Sequence, residues 1–209
     1  MEWLAMITMI IDHIGYVWFP NIPDWRIIGR IAFPIYAFGV ARGMSFTRDP
    51  QKYIFRLLFL AVISQLPYSL LFKNESINVI AAFTIIVFAL YRVEAAEKLR
   101  EKLFWFIGAG LLLDISGTDY GSYALLLVAI YRYTRGFEAI FLHILINIFA
   151  WFAFHMPLQV WSIIPTLALA WVPLSKAEIS PKFKVPSWLW RSFYPVHLMM
   201  LWLLAYFLH

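Results

Sequence analysis

Residues 3–46 read WLAMITMIIDHIGYVWFP, then NIPDW, then RIIGRIAFPIYAFGVARGMSF. Two apolar runs flank a short polar break, and each is long enough to cross or nearly cross a bilayer. Each also carries ionisable groups where apolar residues would cost less: Asp12 and His13 in the first, Arg30 in the second. A charge deep in a membrane helix is expensive, so it faces a bundle interior or a wet cavity and marks a site by default.

The remainder of the chain has the same character. Hydrophobic residues make up 63% and charged residues 14%, with a mean hydropathy of +0.74. Soluble domains hold about 45–50% and about 25% respectively. The pattern predicts an all-α polytopic membrane protein, one bundle of about nine transmembrane helices forming a single domain over residues 1–209. The expected spans are 3–19, 27–41, 53–72, 77–91, 103–115, 120–133, 137–154, 158–174 and 188–208. Several are short for a full crossing, 103–115 most of all. The charged stretch EAAEKLREK, 94–102, reads as a solvated helix extension.

The basic residues lie between apolar runs rather than in one block, so they are topology signals and not a nucleic-acid footprint. Arg42, Arg48, Lys52 and Arg56 follow the second run; Arg92, Lys98, Arg100 and Lys102 follow the fourth. Arg132 and Arg135 follow the sixth, and Lys176, Lys182 and Lys184 the eighth. The odd-numbered breaks hold few charges. Positive-inside bias places the N-terminus in the cytoplasm and the C-terminus outside. The first run lacks a basic leader and a small-residue cleavage site, so it reads as a retained helix. With no cysteine there is no disulfide, thiolate metal site or cysteine nucleophile.

Neighbours on a helix point about 100° apart, so Asp12 does not face His13. Arg30 or Arg26 is the better partner for Asp12, which leaves His13 free to face a cavity. His197 lies in SFYPVHLMMLW, two residues after a proline that kinks its helix. At 1.5 Å per residue, His13 lies ~15 Å and His197 ~13 Å from the cytoplasmic ends of their helices, a shared depth. His143 and Asn147 share a helix face and read as interhelical glue. Asp114, Asp119 and Tyr120, in LLLDISGTDYGSY, read as turn and cap chemistry. His155 and His209 read as interfacial. No G-x-S-x-G, Walker loop or H-E-x-x-H occurs, and no metal site is expected.

Five blocks in chain order resemble the TraX family: MITMIIDHIGYVWFP, RIIGRIAFPIYAFGVARG, YIFRLLFLAVISQLPYSLLF, LLLDISGTDYGSYALLLV and SFYPVHLMMLW. The combination of D-H-I-G, I-G-R-x-x-F-P, S-x-L-P-Y and D-Y-G carries the resemblance. One departure is Gln65, where an acidic residue is expected. The family is named for the conjugation protein that N-acetylates F-type pilin. It is distantly similar to the transmembrane acyltransferases that include acyltransferase-3 and the heparan N-acetyltransferase.

That resemblance implies a membrane-embedded acyltransferase of the bacterial cytoplasmic (inner) membrane. It would move an acetyl group from acetyl-CoA to an amine or hydroxyl of an envelope or membrane acceptor, such as a pilin-like protein, a glycan or a lipid. It implies His13 as general base or acyl carrier, with Asp12 and Arg30 beside it. His197, Tyr194, Asp119 and Tyr120 would support them, and Arg42, Arg56 and Arg132 would attract acyl-CoA. Two readings from other classes stay open: a small proton-linked transporter using the same polar residues, and a structural component of an envelope or secretion complex.

Overall fold

The computed structural model describes residues 1–174 and 185–208. Lys176, Lys182, Lys184 and His209 lie outside the described residues. The helices are α1 (Glu2–Trp18), α2 (Pro23–Gly29), α3 (Ala32–Phe46), α4 (Pro50–Phe72), α5 (Val79–Ala95), α6 (Leu99–Ile115), α7 (Gly121–Tyr133), α8 (Gly136–Phe154), α9 (Ile163–Leu169) and α10 (Ser187–Leu208). A 3-10 helix, Pro157–Ser162, precedes α9, and the described residues contain no strand. Among the described residues, three segments are long and apolar enough to cross a membrane: Pro23–Phe46, Pro50–Phe72 and Gly136–Phe154.

Local chemistry sets the boundaries. Asp49 caps α4, accepting from the Lys52 backbone N–H at 3.0 Å ahead of Pro50, and that bond holds its carboxyl below the ordinary carboxylate range. Asn78 caps α5, accepting from the N–H groups of Ile80 and Ala81. Asp114, at the end of α6, accepts from the Ser122 N–H at 2.6 Å and so caps α7 from across the turn. Gly121 at that turn has φ +49°, and a β-carbon there would meet Asp114 Oδ1 at 2.2 Å. The turn-and-cap expectation for this stretch therefore holds for Asp114.

Three expectations change. The second run is longer than expected, one segment Pro23–Phe46 with a turn at Arg30 and Ile31 between α2 and α3, and the Arg30 side chain lies against α1. The charged stretch 94–102 is not one helix: Ala96 and Lys98 are extended, so that α6 can fold back along α5. The 158–174 segment is not one α-helix but a 3-10 turn followed by seven α-helical residues. Prolines 157 and 165 and the polar residues Gln159, Ser162 and Thr166 interrupt its apolar pattern, and its hydroxyls are spent on α8. It still returns along α8, because the Gly136 N–H at the start of α8 donates to Ala170 O at 2.9 Å.

Interhelical bonds fix the up-and-down order. At one end the Tyr91 hydroxyl donates to Met44 O, Arg132 pairs with Glu94, and the Val185 N–H donates to Glu2. The last bond sets the starts of α1 and α10 side by side, so these helices run parallel. At the other end Tyr68 of α4 donates to Asp119 ahead of α7. The core lies where α3, α5 and α7 meet, around Ile86, Leu90, Leu125, Leu127 and Val128. The outward faces of α4, α6 and α8 are apolar and exposed, as expected where lipid rather than water is the solvent.

Candidate functional site

The site begins where α1 and α2 touch backbone to backbone. A β-carbon on Gly15 would meet Trp25 Cβ at 2.2 Å, and one on Gly29 would fall inside the Asp12 side chain. These are the glycines of D-H-I-G and I-G-R. Small residues at a crossing let membrane helices approach this closely.

The approach brings Asp12 between two arginines. Arg26 Nη1 donates to Oδ2 at 2.8 Å, and Arg30 Nη2 donates to Oδ1 at 3.0 Å. Arg30 is the more deeply placed, and its Nε donates to Arg26 O. Each guanidinium also lies over an aromatic ring: Arg26 over Tyr16 at 5.3 Å, and Arg30 over Tyr120 at 5.8 Å. The expected pairing of Asp12 with Arg30 is present, and Arg26 joins it.

His13 points the other way. Its Nδ1 lies 2.9 Å from Nε2 of His197. His197 Nδ1 lies 2.7 Å from the Phe193 carbonyl oxygen, which can only accept. His197 Nδ1 is therefore the protonated nitrogen, and its Nε2 in the neutral ring is an acceptor. His13 must then donate from Nδ1, which leaves the lone pair on His13 Nε2. No protein group among the described residues bonds that nitrogen.

His13, Asp12, Arg26 and Arg30 line one cavity of about 1200 Å³, bounded by α1, α2, α3, α4, α5 and α10. Asp119, Tyr120 and Tyr194 also line it. His197 does not; it stands behind His13 and sets which of the His13 nitrogens carries the proton. Two cavity-lining residues carry buried polar atoms with no partner, the Tyr36 hydroxyl and Asn74 Oδ1. Unpaired buried groups of this kind are uncommon and call for an explanation, here the space they adjoin.

The three arginines assigned to acyl-CoA separate. Arg56 lines the cavity. Arg42 lies over the Phe46 ring, away from the cavity wall. Arg132 is held by Glu94 and Ser45 at the ends of α5 and α3 and does not line the cavity. Long side chains near helix ends choose partners that spacing does not reveal. Sequence reasoning missed Arg191, Trp190 and Tyr36, all on the cavity wall; Tyr36 stacks on Trp190 at 4.8 Å. The available signal was the W-L-W-R opening of α10.

His143 and Asn147 are glue, as expected. Tyr123 donates to Asn147 Oδ1 at 2.8 Å, and His143 bonds Tyr123, Ser162 and Thr166. All are buried and tie α7, α8 and α9 together.

An apolar exterior around an ion-paired, cavity-bearing interior defines an all-helical membrane protein. The chain belongs to the TraX family: the family described as TraX protein matches residues 1–205. It is 41% identical over 71 residues to an uncharacterized protein of Rickettsia prowazekii, covering 34% of this chain and 27% of that protein. It is 32% identical over 80 residues to the probable fimbrial assembly protein FimC, serogroup H1, of Dichelobacter nodosus (36% and 32%). It is 31% identical over 143 residues to Protein TraX of Escherichia coli (63% and 54%). The chain thus spans about half, or less, of the length of these relatives. No solved structure matches it.

Proposed function

We propose that the chain is an acyltransferase of the bacterial cytoplasmic membrane, moving an acetyl group from acetyl-CoA to an amine or hydroxyl, with His13 as general base. One observation carries this reading: His13 lines a large cavity while its Nδ1 is bonded to His197, which leaves Nε2 as the nitrogen that can take a proton. A neutral imidazole held in one tautomer can take a proton from an incoming nucleophile. The positive charge that forms is shared with His197 through the Nδ1–Nε2 contact. Family membership supports an acetylation role, since the family takes its name from a pilin-acetylating conjugation protein.

The donor fits the wall on chemical grounds. Arg56 and Arg191 line the cavity and take part in no ion pair among the described residues, and Trp188, Trp190 and Tyr53 accompany them. Free guanidinium groups beside aromatic rings suit a nucleotide carrying phosphates. The donor thioester supplies the acetyl group: its C–S bond breaks as the acceptor's N–C or O–C bond forms, and the acceptor's proton passes by way of His13 to the thiolate sulfur. With the starts of α1, α4 and α10 on the cytoplasmic side, Arg56 and Arg191 face the compartment that holds acyl-CoA, and the C-terminus lies outside.

The test is mass spectrometry of membrane lipids, envelope proteins and glycans from cells with and without the protein. A modification of about 42 Da is expected to disappear with His13→Ala and to persist with His155→Ala. Full acetylation in cells carrying a folded His13→Ala protein would sink the mechanism. pH-driven solute flux in liposomes without acyl-CoA binding would favour the transporter reading.

A further inference from the structure

The cavity has one wall unlike the rest. Phe55, Phe59, Ile63 and Leu66 lie at positions i, i+4, i+8 and i+11 of α4, one face of the helix. All four line the cavity, yet all are exposed, Phe55 at 69% and Leu66 at 63%. Val196 of α10 also lines the cavity and is 50% exposed. A residue that both lines a cavity and faces outward sits at its mouth: Arg56 and Arg191 mark it near the starts of α4 and α10, and the stripe beyond them and Val196 are apolar. α4 is one of the three helices long and apolar enough to cross a membrane, so this face meets hydrocarbon rather than water. An entrance used by a water-soluble substrate would carry polar groups along its whole length, and from Phe59 to Leu66 the exposed lining residues of α4 are apolar.

We propose that the cavity opens sideways between α4 and α10 into the bilayer, and that the acceptor is a membrane-embedded amphiphile. Its long apolar chain lies along the Phe55–Leu66 stripe, and its amine or hydroxyl sits beside His13. This rests on the acyltransferase reading and deepens it by naming the acceptor class. The interior complements such a headgroup. Asn74 Oδ1 and the Tyr36 hydroxyl are unpartnered, and Asp119, bonded to Tyr68 at 2.7 Å, offers a carboxylate. The volume of about 1200 Å³ exceeds the roughly 300–1,000 Å³ of a small-ligand pocket, leaving room for a headgroup beside a donor.

The experiment uses the full chain in phosphatidylcholine nanodiscs with no acyl donor present. A diazirine-bearing hexadecylamine is added, the sample is irradiated, and labelled peptides are mapped. Labelling of the α4 stripe and of Val196 is expected to exceed that of the equally exposed Phe104 on α6 and Phe152 on α8 by tenfold or more. Excess hexadecylamine should abolish it, and butylamine should not. Ile63→Trp, which enlarges an already exposed rim residue, should cut labelling at least fivefold with an unchanged Tm. Even labelling over α4, α6 and α8 would overturn the proposal. So would equal labelling of the stripe by a diazirine-bearing phosphatidylcholine that hexadecylamine cannot displace, which would mean bulk lipid only. Because the readout is binding without donor, a failure of acetyl transfer leaves it standing, and its own failure leaves the acyltransferase reading intact.

Discussion

The β-carbon that Gly29 lacks would lie 1.9 Å from the Oδ1 oxygen of Asp12. No real contact is that short, so Gly29→Ala must either lift α2 off α1 or push the carboxylate away from Arg30. The expected loss is about 1–3 kcal/mol, the range for overpacking a tight contact. Thermal unfolding in detergent measures it. Gly39→Ala is the comparison, since a β-carbon there meets nothing within 4 Å and the Tm should hold.

The two arginines on Asp12 are not equivalent. The Arg26 side chain is 28% exposed and the Arg30 side chain 9%. Arg30→Ala should therefore lower stability more than Arg26→Ala. Asp12→Ala leaves two cations without their anion and should cost most, about 3–5 kcal/mol. Adding Arg30→Leu to Asp12→Ala should recover part of that loss; a purely additive double variant would show that the groups are uncoupled.

In the proposed mechanism His197 acts through His13. His197→Phe removes the acceptor for the His13 Nδ1–H and frees the ring to carry its proton on either nitrogen. Transfer should fall by a large part of the roughly 10²–10⁴-fold that a general base contributes. His197→Gln, whose carbonyl can accept the same bond, should restore much of it. Nitrogen-15 spectra of labelled histidine separate this from a packing defect. His13 Nδ1 should resonate as a protonated nitrogen and Nε2 as an unprotonated one, with averaging of the two in His197→Phe.

Gln65 uses both ends of its amide. Nε2 donates to Ser69 Oγ and Ser76 O, and Oε1 accepts from the backbone N–H and side-chain Nδ2 of Asn78. An acidic residue cannot donate, and it would set a carboxylate against the Ser76 carbonyl. Gln65→Glu should therefore destabilise the turn between α4 and α5 by about 1–3 kcal/mol, read as a lower Tm. An unchanged Tm would mean that the amide bonds are replaced by water.

The Asp12 pairing was legible because a buried charge has few affordable alternatives to an opposite one, and only Arg26 and Arg30 stood within reach. The matched depth of His13 and His197 followed from helical rise once both were placed on helices starting from the same side. What distance along the chain could not show was the order of the pair, with His13 on the wall and His197 behind it. The 3-10 turn at Pro157–Ser162 was hidden because averaged hydropathy does not register where backbone hydrogen bonding changes. Arg132 was expected at the acyl-CoA site and Arg191 was not, though both are basic residues near helix ends. Glu94, 38 positions away, occupies one, while the other lies open to the cavity.

The histidine contact joins positions 184 residues apart, on the first and last helices. Its consequence is one of timing. While the chain is being made, α1 enters the membrane with His13 free to exchange its proton between either nitrogen, and no amount of folding among the intervening helices changes that. In the proposed mechanism His13 is fixed as a base only when α10 seats against α1. On that mechanism, a chain stalled before that point holds the Asp12 ion cluster without an oriented His13, and acyl transfer waits for the last helix.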